Sequence, residues 1–318
     1  MLSSVYGIGP RVFGTFGNGR VEEYFDSSAL SAGDLRDPQT SRWIARRMRE
    51  LHRVDIPIVS GEEWNDRELI AVKRNVRDWV APASEVLSLV TEGTGTVAGL
   101  DSTHPWWKVT EDIDLDRLCL EWEAYIRWLK KWESTHTRSP RVFAHNDAQY
   151  GNLLRLARPR EGQPNHHNII VVDFEYAAPN PAAYDIANHF QEWTADYHSS
   201  EPHILHPDRY PTPEQRRNFY LAYLSPAQPI SSSATSIALA EAPVADTIDE
   251  KKVKEIDEEV LAWSPASLAQ WTMWGIVQCR DDVLAGGVGE FDYLNYSREK
   301  VQAFRAALKK LGIEVQPR

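Results

Sequence analysis

Apolar residues recur at three- and four-residue steps along most of this chain, so the pattern predicts a largely helical protein with a few short strands. Leu115, Leu118, Trp122, Tyr125, Leu129 and Trp132 place one stripe on a long amphipathic helix, with Cys119 beside it as packing rather than as a nucleophile. Ile44, Met48 and Leu51 predict a helix over 41–53, ended by Pro57. Residues 64–90 read as two helical pieces broken near Pro82, and 91–96 as a flexible connection. After a charged helix from about Asp249, Ser264-Pro265 offers an N-cap and a first-turn proline for a helix carrying Trp271, Trp274 and Gln278. A last helix spans 297–311 and stops at Gly312.

Strands are fewer. Residues 11–16 and 20–25 flank Asn18-Gly19 and predict a β-hairpin closed by a primed turn, in which glycine supplies a positive φ. The nearby glycines do not follow the G-x-G-x-x-G order of a phosphate loop. Arg141-Val-Phe-Ala144, Asn152-Leu-Leu154 and Ile169-Ile-Val-Val172 read as three strands, the last buried on both faces. Between the second and third, 155–168 is a solvated loop whose adjacent His166 and His167 have no acidic or cysteine companion nearby in sequence to suggest a metal. Residues 182–193 read as a helix after Pro179-Asn-Pro181, and 225–247, rich in Ser, Ala and Pro, as a mobile insertion.

Composition narrows the function. The 318 residues carry 35 basic and 46 acidic side chains, a net charge of −11, which argues against a nucleic-acid partner because phosphates demand a basic face. Two cysteines in such a length suit a reducing compartment. No stretch approaches the ~18 apolar residues of a membrane span, and the first residues do not resemble a signal peptide, so no integral membrane segment and a cytoplasmic location are expected.

The strongest chemical signal is His145-Asn-Asp147-Ala-Gln-Tyr-Gly-Asn152, followed by an apolar strand ending in Asp173-Phe-Glu175. This is the H-x-D-x-x-x-x-N spacing of a kinase catalytic loop with a metal-binding Asp after the next strands. Phosphoryl transfer needs a carboxylate to receive the acceptor hydroxyl's proton and oxygen ligands for Mg²⁺. Asp147 suits the first role, Asn152 and Asp173 the second, while His145 braces the loop. Downstream, Glu175-Tyr176, Asp185 to Trp193 and Tyr197 combine carboxylates with aromatic rings, which suggests a cationic substrate. Trp271, Trp274 and Gln278 share one helix face and read equally as core or as a ring wall for a quaternary ammonium.

These blocks, with Gly9-Pro-Arg-Val-Phe-Gly14, Gly19-Arg-Val-Glu-Glu-Tyr24 and Phe291-Asp-Tyr-Leu-Asn-Tyr296, resemble the choline and ethanolamine kinases over most of residues 5–310, the choline branch more closely. The resemblance implies a protein-kinase-like α+β fold, with a mostly helical large lobe (27–318) and an incomplete N-terminal β lobe (1–26). It implies ATP and Mg²⁺ as cofactors, Asp147 as base, and Asn152 and Asp173 as metal ligands. Glu22, Glu23, Tyr24 and Phe25 become the hinge against which adenine lies. Gln149, Glu175, Tyr176, Glu192, Tyr197, Trp271, Trp274 and Tyr296 surround the choline headgroup.

In kinase-like folds a Gly-rich strand pair and a strand cation precede the hinge. Here only about ten residues do, and the first basic residue is Arg11, so the resemblance implies a truncated small lobe and a chain that is a poor kinase or none. The alternatives are an ethanolamine preference, an aminoglycoside or other small-alcohol phosphotransferase, and a non-catalytic choline-binding protein. A homodimer is compatible with the family.

Overall fold

The computed structural model describes residues 7–59, 64, 66, 69–94, 97–98, 103–225 and 249–315. Strands β1 (Val12–Phe16), β2 (Gly19–Glu22) and β3 (Ser27–Ala29) lead into helices α1 (Pro38–Leu51), α2 (Ile56–Val59) and α3 (Ala71–Thr91). Two very short strands, β4 (Gly93–Thr94) and β5 (Val97–Ala98), precede α4 (Pro105–Ile113) and α5 (Leu115–Glu133). Next come β6 (Arg141–Ala144), β7 (Leu153–Leu156), β8 (Ile169–Val171) and β9 (Ala178–Pro181). The rest is helical: α6 (Ala182–Glu192), α7 (Pro213–Leu224), α8 (Glu250–Gln278), α9 (Arg280–Ala285) and α10 (Tyr293–Lys310). All but the first residue of the expected 225–247 insertion lies outside the described residues.

The chain folds into two compact units. The first comprises Met1–Leu69, Ser139–Trp193 and Pro211–Glu258; the second Ile70–Arg138, Thr194–Tyr210 and Glu259–Arg318. In the first, β3, β7 and β8 form an antiparallel sheet with Ser27 opposite Leu156 and Leu153 opposite Val171. A separate antiparallel pair joins β6 to β9, with Val142 opposite Asn180. Strand β9 was not expected, because Ala-Pro-Asn-Pro lacks two backbone donors; in a two-stranded ladder those donors can be spared. Helix α1 begins at the Asp37 cap, whose carboxylate accepts from Thr40 N at 2.7 Å, and packs on α7 through Arg42 to Asn218 at 2.9 Å. Every residue of α6 is buried, so this helix is the centre of the unit.

The hairpin forms, but its turn departs from expectation. Phe16 pairs with Gly19, so the turn residues are Gly17 and Asn18, and neither takes a positive φ. Gly19 serves another purpose: a Cβ there would fall 2.7 Å from Cζ of the cross-strand Phe16 ring. The second strand also stops at Glu22 rather than running to Phe25.

Two prolines fail to break their helices. Pro82 lies inside a continuous α3, where the carbonyl it leaves without a donor belongs to the exposed residue Asp78. Pro265 lies inside a continuous α8 rather than opening a helix; it frees the carbonyl of Leu261, which is exposed, and the Tyr125 hydroxyl donates to the next carbonyl, Ala262 O, at 2.8 Å. Of the expected flexible connection at 91–96, Thr91 closes α3 and Gly93–Thr94 form β4, while 95–96 lie outside the described residues. Helix α10 starts earlier than expected because Asp292 caps it, accepting from Asn295 N at 3.0 Å; Gly312 ends it with φ 71°.

In the second unit, α5 buries Leu118, Tyr125 and Leu129, as its spacing requires, but also Glu121. Arg305 of α10 meets that carboxylate at 2.9 Å and Arg117 at 2.8 Å, which offsets the cost of burying the charge. Cys119 sits partly buried beside the stripe with its thiol pushed up by burial, as packing requires. Among the described residues no helix is long and apolar enough to cross a membrane.

One expectation about side chains is overturned. His166 and His167 do have an acidic companion: Glu50, in the last turn of α1, lies 2.7 Å from His166 Nε2 and 3.1 Å from His167 Nε2. It is 116 residues from His166 in sequence, so local spacing could not reveal it.

Candidate active site

Strand β6 delivers the chain into a loop whose first residues are held by buried polar groups. Asn146 takes a left-handed φ of 66°, a conformation asparagine tolerates better than most residues. Its side chain donates to Tyr176 O at 2.7 Å and Ala178 O at 3.1 Å, and accepts from Asn180 at 2.7 Å. Its carbonyl accepts from Asn188 Nδ2 at 3.0 Å. Asp185, fully buried in the first turn of α6, accepts from the backbone N–H of His145 at 3.0 Å and of Asn146 at 2.7 Å. His52 Nε2 approaches the same carboxylate at 2.8 Å, and its Nδ1 lies 2.8 Å from the Tyr223 hydroxyl. Burial pushes the Asp185 carboxyl up, but the hydrogen bond and charge of His52, with His145, outweigh it and hold the group below the usual carboxylate range.

His145 behaves as a brace. Asp147 N–H donates to its Nδ1 at 3.3 Å, so Nε2 carries the proton and donates to Val172 O at 2.9 Å. Burial lowers its pKa and keeps the ring neutral.

Asp147 and Asn152 come together as their spacing implies. The Asn152 amide nitrogen donates to both the carboxylate, at 2.9 Å, and the carbonyl, at 3.0 Å, of Asp147. Burial first, then the charges of Glu192, Asp173 and Glu175, push the Asp147 carboxyl well above the usual range; the Asn152 bond pulls it the other way. Asp173 is exposed and lies beyond β8, which ends at Val171, so it is not borne on a strand as expected. Instead its φ of 62° marks a sharp turn after Val172, whose N–H is held by Asn152 O at 3.0 Å.

Of the remaining predicted residues in this unit, Gln149 turns its side chain onto the loop, its Oε1 accepting from Gly151 N at 2.7 Å and its Nε2 lying 3.4 Å from Asn152 Oδ1. Glu175 is exposed, Tyr176 half-buried, and Glu192 buried in the last turn of α6. At the hinge, Glu23 N–H donates to Arg11 O at 2.8 Å and Tyr24 is exposed. The buried Phe25 ring lies under the Arg160 guanidinium at 5.1 Å.

The second unit assembles the aromatic residues. The Trp271 and Trp274 rings meet edge to face at 5.2 Å, and Trp274 lies 6.1 Å from Tyr296. Tyr293 at 5.6 Å from Trp274, and Phe291 at 5.5 Å from Tyr296 and 6.3 Å from Tyr197, complete a six-ring group. Sequence reasoning left Phe291 and Tyr293 out of the site, although Tyr293 and Tyr296 repeat the three-residue step of the tryptophans. Gly275 makes the group possible: a Cβ there would overlap Ser297 Oγ and sit 3.0 Å from Tyr296 Cδ1, so α8 and α10 meet closely only at a glycine. Trp271 and Tyr296 are almost fully buried, while Tyr197, Trp274, Phe291 and Tyr293 keep partial exposure. Gln278 is exposed at the end of α8.

One chain thus carries both a catalytic-loop constellation and an aromatic group. The family model for choline/ethanolamine kinase matches residues 1–305. The chain belongs to that family. It is 30% identical over 346 residues to a choline kinase of Schizosaccharomyces pombe, covering 97% of this chain and 72% of that protein. It is 32% identical over 306 residues to a probable choline kinase 3 of Arabidopsis thaliana, covering 96% and 71% respectively. An ethanolamine kinase structure from Plasmodium vivax matches the fold at a TM-score of 0.67 and 21% identity, over 96% of this chain and 72% of that one. The architecture is accordingly the protein-kinase-like one, and the chain is a phosphotransferase acting on an alcohol.

Proposed function

We propose that this chain transfers the terminal phosphoryl group of ATP to the hydroxyl of choline, with Mg²⁺. The observation that carries the reading is Asp147: a carboxyl pushed well upward by burial and neighbouring carboxylates, yet held in position by Asn152. A raised carboxyl pKa brings a general base nearer the operating pH, which strengthens it as the acceptor of the hydroxyl proton.

The donor set fits the cation. Asn152 spends its amide N–H groups on Asp147, its Oδ1 accepts a long 3.4 Å bond from Gln149 Nε2 that a metal would have to displace, and Asp173 adds a carboxylate among mutually repelling acidic groups. These are hard oxygen ligands of the kind Mg²⁺ takes. When bound, Mg²⁺ and ATP would supply charge neutralisation and the transferred group. The chain's own part is to accept the proton at an Asp147 carboxylate oxygen and to keep the loop fixed through Asp185, His145 and Asn146.

Choline is favoured over ethanolamine because the partly exposed rings of the aromatic group, Tyr197, Trp274, Phe291 and Tyr293, would offer π faces, which attract a cation without needing its N–H groups. The aromatic group likewise disfavours an aminoglycoside, whose several ammonium groups call for a wider acidic cleft.

The test is an ATP-consumption assay with choline, ethanolamine and an aminoglycoside as acceptors, with and without Mg²⁺. The reading expects Mg²⁺-dependent turnover that is greatest with choline and abolished by Asp173→Ala. A clear preference for ethanolamine or the aminoglycoside overturns the substrate assignment; unchanged turnover in Asp173→Ala overturns the metal assignment.

A further inference from the structure

We infer that Glu50, His166 and His167 form a second metal site, for a borderline-soft dication of the Zn²⁺ class. Three observations converge on it. The first is the meeting of ligands: neighbouring residues normally point apart, yet the short turn 165–168 sends both imidazoles the same way. Their rings lie 4.7 Å apart at 83°, and both Nε2 atoms face one oxygen, Glu50 Oε1, at 2.7 and 3.1 Å. All three ligand atoms lie within 4.8 Å of one another. Two imidazole nitrogens and a carboxylate oxygen are the His₂Glu set of open zinc sites, with a fourth position left for water. At tetrahedral angles, metal–ligand bonds of about 2.0–2.1 Å place ligand atoms roughly 3.3 Å apart, so the two nitrogen-to-carboxylate separations of 2.7 and 3.1 Å lie within a few tenths of an ångström to about half an ångström of what a metal needs.

The second observation is the outer shell. His167 Nδ1 lies 3.1 Å from Gln163 Oε1, an acceptor, so Nδ1 carries the proton. In the neutral ring Nε2 then presents a lone pair toward the Glu50 carboxylate, an arrangement that repels unless a cation or a second proton stands between. A metal ligand whose other ring nitrogen donates to an oxygen is the usual arrangement of a bound histidine. Glu50 Oε2 is meanwhile held by Arg47, buried on α1, which fixes the carboxylate's orientation and leaves Oε1 turned to the histidines.

The third is accessibility and place. Glu50, His166 and His167 are all half-buried, so an ion can enter. The turn that carries the two histidines runs directly into β8, and the chain leaving β8 reaches Asp173. A metal here would staple the end of α1 to the start of that strand, at a site whose nitrogen ligands distinguish it from the all-oxygen set around Asp147.

The test uses the full chain without a polyhistidine tag, in saturating Mg²⁺ so that the oxygen ligands near Asp147 are engaged. Zn²⁺ is titrated by calorimetry, and Co²⁺ is added as a spectroscopic probe. The proposal expects one equivalent of Zn²⁺, a rise in Tm on binding, and the visible absorption of Co²⁺ in a tetrahedral nitrogen and oxygen field. His166→Ala, His167→Gln and Glu50→Gln should each weaken Zn²⁺ binding by about 100-fold or more, with circular dichroism confirming the fold. A wild-type protein that takes up no Zn²⁺ and gives only the faint octahedral Co²⁺ spectrum overturns the site whatever the variants do. Binding unchanged in the folded variants overturns it equally and leaves the cluster an ion pair only.

Discussion

Replacing Asp185 should damage both stability and turnover, although its side chain bonds only to other parts of the protein. The carboxylate is fully buried and accepts from His145 N at 3.0 Å, Asn146 N at 2.7 Å and His52 Nε2 at 2.8 Å. Asp185→Ala strands all three donors, and each buried donor left unsatisfied costs roughly 1–3 kcal/mol. Asp185→Asn keeps one acceptor oxygen but turns an NH₂ toward a donor, so the cost is that of about one unsatisfied buried group, roughly 1–3 kcal/mol. Urea unfolding at pH 7 should therefore rank wild type, Asn and Ala by midpoint, at similar slope. The sign with pH follows from the depressed carboxyl: its stabilisation is present above the unfolded value, about 3.9, and is lost as pH falls through the folded one. The wild-type advantage over Asp185→Asn should thus shrink below about pH 4. Because the loop carrying Asp147 loses two of its backbone anchors, kcat should fall more than the KM for choline rises. An Asp185→Ala protein with wild-type midpoint and kcat would refute the reasoning.

Asp147→Asn should lower kcat by about 10²–10⁴-fold, read in the steady-state assay. It should also stabilise the fold at neutral pH. Since the folded carboxyl is raised, its burial penalty is absent below about pH 4 and grows as pH rises toward the folded value, so the gain measured by urea midpoint should appear only above about pH 4. Trp274→Ala should weaken choline binding by ~0.5–2 kcal/mol, about 2- to 30-fold by calorimetry, with ATP affinity unchanged. Gly275→Ala should cost about 1–3 kcal/mol by overpacking α8 against α10 and should weaken choline binding as the aromatic group is displaced; an unchanged Tm would show that the helices can part without strain.

What was legible in the sequence was what is local. Asp147 and Asn152 lie five residues apart in one loop, so their spacing marked them as a pair before the structure showed them in contact, and the α5 stripe likewise placed Leu118, Tyr125 and Leu129 inside. The groups that hold the loop were invisible because they arrive from afar: Asp185 from α6, and His52 from beyond the end of α1. Glu50 beside His166 and His167 is the same case. Pro82 and Pro265 misled for another reason: the carbonyls they free belong to the exposed residues Asp78 and Leu261, and both helices run on through the proline. Asp173 and the hairpin turn show that backbone sign is poorly written in residue type: an aspartate took the left-handed region and the turn glycine did not.

The most direct test of the central claim is phosphorus NMR of the purified chain incubated with ATP, Mg²⁺ and choline, beside Asp147→Asn at equal concentration. The account predicts that a phosphocholine resonance grows in step with ADP in the wild-type sample, and at least about a hundredfold more slowly in the variant. ATP loss without phosphocholine, or phosphocholine formed equally fast by both proteins, would contradict it.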